Sequence, residues 1–159
     1  MSDLFRVSAP AYWRRGLSVV PLEHGSKRPA KELAGWQGYC NGPASPTVQS
    51  AWMMKYAMNG IGLLLSTPIS DGAGVGAIDV DDDRYVRLAH AILGRCPSRK
   101  RGRKGETIFV AIRNDQPVKS TVLYDYQKAQ KVDVLFNGKM TVLPPSRHPR
   151  NTALRLRFR

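Results

Sequence analysis

Cysteine is almost missing from this 159-residue sequence, which has only Cys40 and Cys96. Two thiols cannot staple a fold, so a secreted disulfide scaffold is excluded and reduced thiols in a cytoplasmic protein are expected. With three scattered histidines, they offer none of the paired spacings that zinc requires. Long apolar runs are missing too. None approaches the roughly 18–20 residues of a membrane span, and Met1-Ser2-Asp3-Leu4-Phe5-Arg6 lacks the charged-then-apolar layout of a signal peptide. No Gly-x-x-x-x-Gly-Lys-Ser/Thr loop is present, so the chain carries no helicase or kinase engine. Gly72-Ala-Gly74-Val-Gly76 has the wrong spacing for a dinucleotide fingerprint and precedes a strand where that motif must follow one.

Acids are also scarce. Twelve Asp and Glu stand against 25 Lys and Arg, a formal charge of +13, which points first to a polyanionic partner, nucleic acid. What acid there is clusters: Asp79, Asp81, Asp82 and Asp83 lie within eight residues, and none follows Asp133. A basic block, Arg99-Lys100-Arg101-Gly102-Arg103-Lys104, separates the cluster from Asp133, and the remaining C-terminal charges are all positive. An acidic knot in a basic chain is what a metal site facing phosphates needs, because carboxylates hold the cation and the surrounding cations hold the polyanion. A charged turn after a strand is the plainer reading, and spacing does not choose between them.

The length suits one domain, and 42% apolar residues suffice for a core. A helix is expected over Pro10–Gly16 and a short edge strand over Leu17–Leu22, ending at Pro21. A turn-rich segment follows, then a helix over 46–58 with Thr47 as N-cap. Gly60–Ser66 reads as a buried strand. After a turn through Pro68, Asp71, Gly72 and Gly74, Val75–Val80 reads as another. Arg84–Leu93 is expected to be helical, Arg99–Lys104 a loop, and Glu106–Ile112 a strand. Lys131–Phe136 and Lys139–Leu143 flank Asn137-Gly138, which predicts a hairpin. Ala153–Phe158 is a candidate last strand. The sum is an α+β domain.

Asp79 and Asp81 alternate along a strand end, so both side chains project from one face, with Ile78 and Val80 on the other. Such a pair can bind Mg2+ with room for substrate phosphates. Asp133 is the one later acid inside an apolar strand, and Asp82 and Asp83 fit the start of the following helix. Trp36 and Tyr39 read as packing residues, and His24 and His90 carry no signal.

Here the chain resembles a family. Gly60-Ile-Gly-Leu and Gly76-Ala-Ile-Asp79-Val-Asp81 look like the first motif of the bifunctional primase–polymerases of the archaeo-eukaryotic primase superfamily. Tyr12, Gly16-Leu-Ser-Val-Val-Pro21-Leu, Gly25-Ser-Lys27-Arg-Pro29 and Trp36-Gln-Gly-Tyr39 resemble its N-terminal segment. Arg103-Lys104-Gly105-Glu-Thr107-Ile-Phe resembles its second motif. Asp133, Gly138 and Val142-Leu-Pro144-Pro145-Ser146-Arg-His148-Pro149 resemble its third acid and following loop. The resemblance covers roughly residues 10–155 of a single catalytic domain spanning 1–159.

The resemblance implies a primase–polymerase fold: an RRM-like catalytic sheet with a small N-terminal α/β half. It implies that Asp79, Asp81 and Asp133 are catalytic and bind Mg2+ or Mn2+, and that a 3′-hydroxyl attacks the α-phosphorus of a nucleoside triphosphate. Arg103, Lys104, Thr107, Ser146 and His148 would hold the nucleotide, and Lys27, Arg99, Lys100 and Arg101 the nucleic acid. The partners implied are single-stranded or primed DNA, nucleoside triphosphates, and a helicase or accessory priming module, in replication of a phage, plasmid or other mobile element. One residue departs from the pattern: Thr107 stands where the family carries a phosphate-contacting histidine, and it brings a hydroxyl but no charge. That departure leaves open a binding module without catalysis, which three clustered acids argue against. A metal-dependent nuclease could use the same acids on water.

Overall fold

The computed structural model describes residues 3–70, 72–94, 96–102, 104–115, 118–125, 127, 130–146 and 155–157. Helix α1 (Leu4–Trp13) begins six residues before the expected start, because Phe5, Ala9, Tyr12 and Trp13 recur at helical spacing and are all buried. Pro10 therefore lies inside the helix. The Ala57 carbonyl accepts from Phe5 and Arg6, which satisfies two first-turn N–H groups that no side chain caps. Strand β1 (Val19–Pro21) follows, and its proline is tolerated because the strand lies at a sheet edge. A 3-10 helix (Trp36–Asn41) leads to α2 (Pro46–Lys55). The N-cap of α2 is Ser45, not Thr47: the Ser45 hydroxyl accepts from the Val48 N–H, and Pro46 occupies the first helical turn where its missing N–H costs nothing. Tyr39 packs edge-on against Trp52, with ring centroids 5.2 Å apart, so it serves the core as expected.

Strand β2 (Ile61–Leu64) is buried throughout. Strand β3 (Pro68–Ser70) occupies ground expected to be a turn and pairs with the start of β4 (Ala73–Val80). Helix α3 (Asp83–Leu93) is capped by Asp82, whose carboxylate accepts from the Arg84 N–H. Then come β5 (Arg99–Arg101), β6 (Glu106–Arg113), β7 (Thr121–Asp125), β8 (Gln130–Leu135), β9 (Met140–Leu143) and β10 (Arg155–Arg157). The strands make two sheets. A small one has the order β1-β2-β9; a larger one has the order β10-β5-β6-β4-β8-β7, with β3 added beside β4. All pairings are antiparallel. The fold is α+β, as the sequence indicates.

Two further expectations fail. The Arg99–Lys104 block is not a loop throughout, since Arg99–Arg101 form β5, held between β6 and β10. Asn137-Gly138 does turn the chain, with Gly138 at φ +71°, but β8 and β9 do not pair with each other. Strand β8 is already flanked by β4 and β7, so the turn hands the chain to the small sheet, where β9 pairs with β2. Strand β7 itself was not anticipated, because Val122 and Leu123 are exposed and give no buried-strand pattern.

The main core lies between the small sheet with its helices and one face of the large sheet, to which Val75, Ala77, Phe109 and Leu135 contribute. An apolar cavity of about 250 Å³ sits there, lined by Tyr12, Leu63, Val75, Phe109 and Leu143 among others, and it holds none of the acids. On the opposite face, α3 is fastened to β6 by His90, whose Nε2 is 2.6 Å from Glu106 Oε1.

Candidate active site

Antiparallel registry sets Asp79 directly beside Thr107 on one side and Asp133 on the other. Lys100 pairs with Thr107, and Val122 with Asp133. The row Lys100–Thr107–Asp79–Asp133–Val122 thus crosses β5, β6, β4, β8 and β7, a span of about 19 Å at the usual strand spacing. All five share the face that continues into the inter-sheet core. Two like charges directly opposed on neighbouring strands oppose folding, so this pairing is a poor choice for structure alone.

Each acid has one close companion. The Thr107 hydroxyl donates to Asp79 Oδ1 at 2.5 Å. Lys131 Nζ donates to Asp133 Oδ2 at 2.7 Å and lies 3.6 Å from Asp81 Oδ2. The hydrogen bond to Asp133 is the main reason the Lys131 ammonium is held above its ordinary pKa, helped by the charges of Asp133 and Asp81. Lys131 escaped sequence reading, yet its spacing in Lys131-Val-Asp133 was a signal: residues two apart on a strand share a face. The other oxygen of Asp133, Oδ1, is buried with no hydrogen-bond partner among the described residues.

A turn holds Thr107 in place. Gly105 sits at φ +68°, its N–H donates to Asp83 Oδ1 at 3.0 Å, and a Cβ there would collide with the Val80 carbonyl oxygen. This close approach brings the end of β6 against the end of β4 and needs glycine.

Lys100 was expected on a solvated basic surface. Instead it is only 9% exposed, and its ammonium crosses to the small sheet, donating to Thr141 Oγ1 at 2.5 Å and to the Val142 carbonyl at 2.7 Å. Burial lowers its pKa to about 8; nearby Lys27 pushes the same way and Asp79 opposes. Its neighbours on β5 point to the other face: Arg99 Nε is 3.7 Å from Glu106 Oε2, and Arg101 pairs with Asp83 at 2.8 Å. Alternation explains the split, because one lysine between two arginines on a strand must face away from both. Lys27 is exposed in the turn after β1, and Lys104 is exposed beside Gly105. Ser146 is buried; its hydroxyl accepts from the Ile61 N–H at 2.7 Å, so the structure uses it to hold β2. Arg103 and His148 lie outside the described residues.

Among the described residues, no three His, Cys, Asp or Glu side chains close around one point. The Lys131 ammonium stands between Asp81 and Asp133 and pairs with both. An orphaned buried carboxylate oxygen on Asp133, an adjoining carboxylate in register and a lysine already bridging two acids all fit a hard cation with oxygen ligands.

No helix among the described residues is long and apolar enough to cross a membrane. Comparison with curated proteins returns no match. The family described as bifunctional DNA primase/polymerase, N-terminal, matches residues 9–158. The chain therefore belongs to the family of bifunctional DNA primase/polymerase N-terminal domains, and its activity class is that of a primase/polymerase nucleotidyltransferase.

Proposed function

We propose that this domain transfers nucleotides to a growing strand on a DNA template, with Asp79, Asp81 and Asp133 holding Mg2+ or Mn2+. The observation that carries the reading is the Asp79–Asp133 pair: two carboxylates in direct register, one with a buried oxygen that no described residue satisfies. Bound divalent ions would supply positive charge to the attacking and leaving oxygens of the transfer. In the reaction, a 3′-hydroxyl attacks the α-phosphorus of a nucleoside triphosphate, a phosphodiester forms, and pyrophosphate leaves. Thr107 fixes one oxygen of Asp79 and so orients that carboxylate. Lys131 balances Asp81 and Asp133 and would give way as a cation enters, since an exposed ammonium can swing into water. The basic surface, with Lys27, Arg101 and Lys104 exposed, suits backbone contacts to the template that carry no sequence information. The setting in phage, plasmid or other mobile-element replication, with a helicase or priming module as partner, is supported by the family resemblance.

A template-directed incorporation assay with labelled nucleotides and Mg2+ or Mn2+, with and without an annealed primer, tests this. Product growth in the wild type and its loss in Asp79→Ala and Asp133→Ala supports the reading, and the primer-free lane separates priming from extension. Absence of growth, with salt-sensitive DNA binding intact, favours a module that binds without catalysis, the reading that Thr107 in place of histidine supports. Shortening of the substrate would instead identify a nuclease.

A further inference from the structure

The row across the large sheet is electrically uneven. At its β8 side Lys131 neutralises Asp133 and Asp81. At its β5 side Lys100 is buried, yet the only partners of its ammonium among the described residues are two uncharged oxygens, those of Thr141 and Val142. A buried cation without a carboxylate in contact is costly, and proteins seldom keep one without use. Two of its three N–H bonds are taken, so one remains for another acceptor. Exposed Lys27 lies close enough to add its field at the same spot. Meanwhile Thr107, the neighbour of Lys100 in the row, has given its hydroxyl to Asp79 and has no charge to offer a phosphate.

We propose that Lys100 is the cation that grips the triphosphate of the incoming nucleotide, supplying from β5 the charge that Thr107 does not provide on β6. The inference rests on the nucleotidyl-transfer reading above and adds a direction to it. The triphosphate tail runs from the acids toward β5, and the 3′-hydroxyl approaches from the β8 side. Lys100 then has two duties, holding β9 through Thr141 and Val142 and holding phosphate through its remaining N–H.

The test is equilibrium binding of dATP, dAMP and inorganic tripolyphosphate in Mg2+, without template, to the wild type, Lys100→Met and Lys100→Arg. Expected are tighter binding of dATP than dAMP by the wild type, a loss of at least tenfold in that ratio in Lys100→Met, and recovery to within about threefold in Lys100→Arg. Binding of single-stranded DNA should stay within about twofold in both variants, since a buried side chain cannot reach the outer basic surface. If the wild type binds no dATP, the nucleotidyl-transfer reading itself falls. If the wild type prefers dATP and folded Lys100→Met keeps that preference, Lys100 is a structural tether only and the inference is overturned. A second readout needs no loss-of-charge variant. In wild type with ε-13C-labelled lysine, the Lys100 signal, identified by its absence in Lys100→Arg, should move on adding tripolyphosphate. A Lys100 signal that stays still at saturating tripolyphosphate overturns the inference even if Lys100→Met does not fold.

Discussion

On the helix-covered face of the large sheet, Glu106 is buried between His90 at 2.6 Å and Arg99 at 3.7 Å, so its charge is answered within the fold. One residue along the same strand, on the opposite face, Thr107 leads into Asp79 and Asp133. There the close partners among the described residues are a hydroxyl and one half-exposed lysine, Lys100 adds its field, and one buried oxygen has no partner among them. Both faces carry acid at the same end of the sheet, but only one is closed. Glu106, which serves structure, is matched by the chain itself; on the proposed reading the less closely matched Asp79 and Asp133 take a charge that arrives from outside.

Breaking the open face should have the largest effect. Asp79→Ala is expected to lower template-directed incorporation by about a thousandfold or more, as removal of a principal charge-stabilising group does, while thermal unfolding in metal-free buffer is unchanged or improved because a like-charge pair is relieved. Loss of activity together with a collapsed melting transition would remove the contrast between the faces. Next comes the turn that joins them. Gly105→Ala forces a side chain into the Val80 carbonyl at positive φ and should cost about 4 kcal/mol, read as the shift of the urea midpoint.

The buried lysine sharpens the comparison through pH. Its folded pKa, about 8, lies below the ordinary 10.5 of the unfolded chain. Below pH 8 both states are charged, and the folded state bears the whole cost of burial. Between about 8 and 10.5 the unfolded chain holds more protons, so stability should rise with pH and level off above that window. Urea unfolding at pH 7, 8, 9 and 10 should show a rise in the wild type that is missing in Lys100→Met. Glu106→Gln, on the closed face, should cost about 1–3 kcal/mol by weakening the hold on His90 and Arg99, with incorporation within about threefold of wild type. A larger loss of activity would mean that the closed face is not separate from the chemistry.

Much of the open face was legible from sequence because strand alternation is a strict rule. Asp79 lies at the end of an apolar strand with Asp81 two residues on, so their shared face follows from counting residues, and Asp133 likewise stands inside an apolar strand. Registry between strands is not local, and nothing in the sequence stated that Asp133 would stand opposite Asp79. The Arg99–Arg101 block was misread for a related reason. Three basic residues in succession look solvated, and only pairing with β6 and β10 makes them a strand with Lys100 turned inward. Asn137-Gly138 gave a true turn and a false hairpin: the dipeptide sets the backbone conformation, while the partner of each flanking strand is decided by edges elsewhere. Thr47 lost the cap to Ser45 because Pro46 fits the first helical turn.

That sheet-switching turn has a mechanical consequence. Strand β8 carries Asp133, and β9 carries the Thr141 and Val142 oxygens that hold Lys100. Residues 136–139, with the Lys139 N–H donating to the Phe136 carbonyl at 3.0 Å, are the only chain between these two strands. So short a link ties the strand of Asp133 to the strand that anchors the Lys100 ammonium, in addition to the sheet pairing that sets the row from Lys100 to Asp133. On the proposed reading, lengthening the link would loosen the tie between Asp133 and the oxygens that hold Lys100 without touching any of those residues.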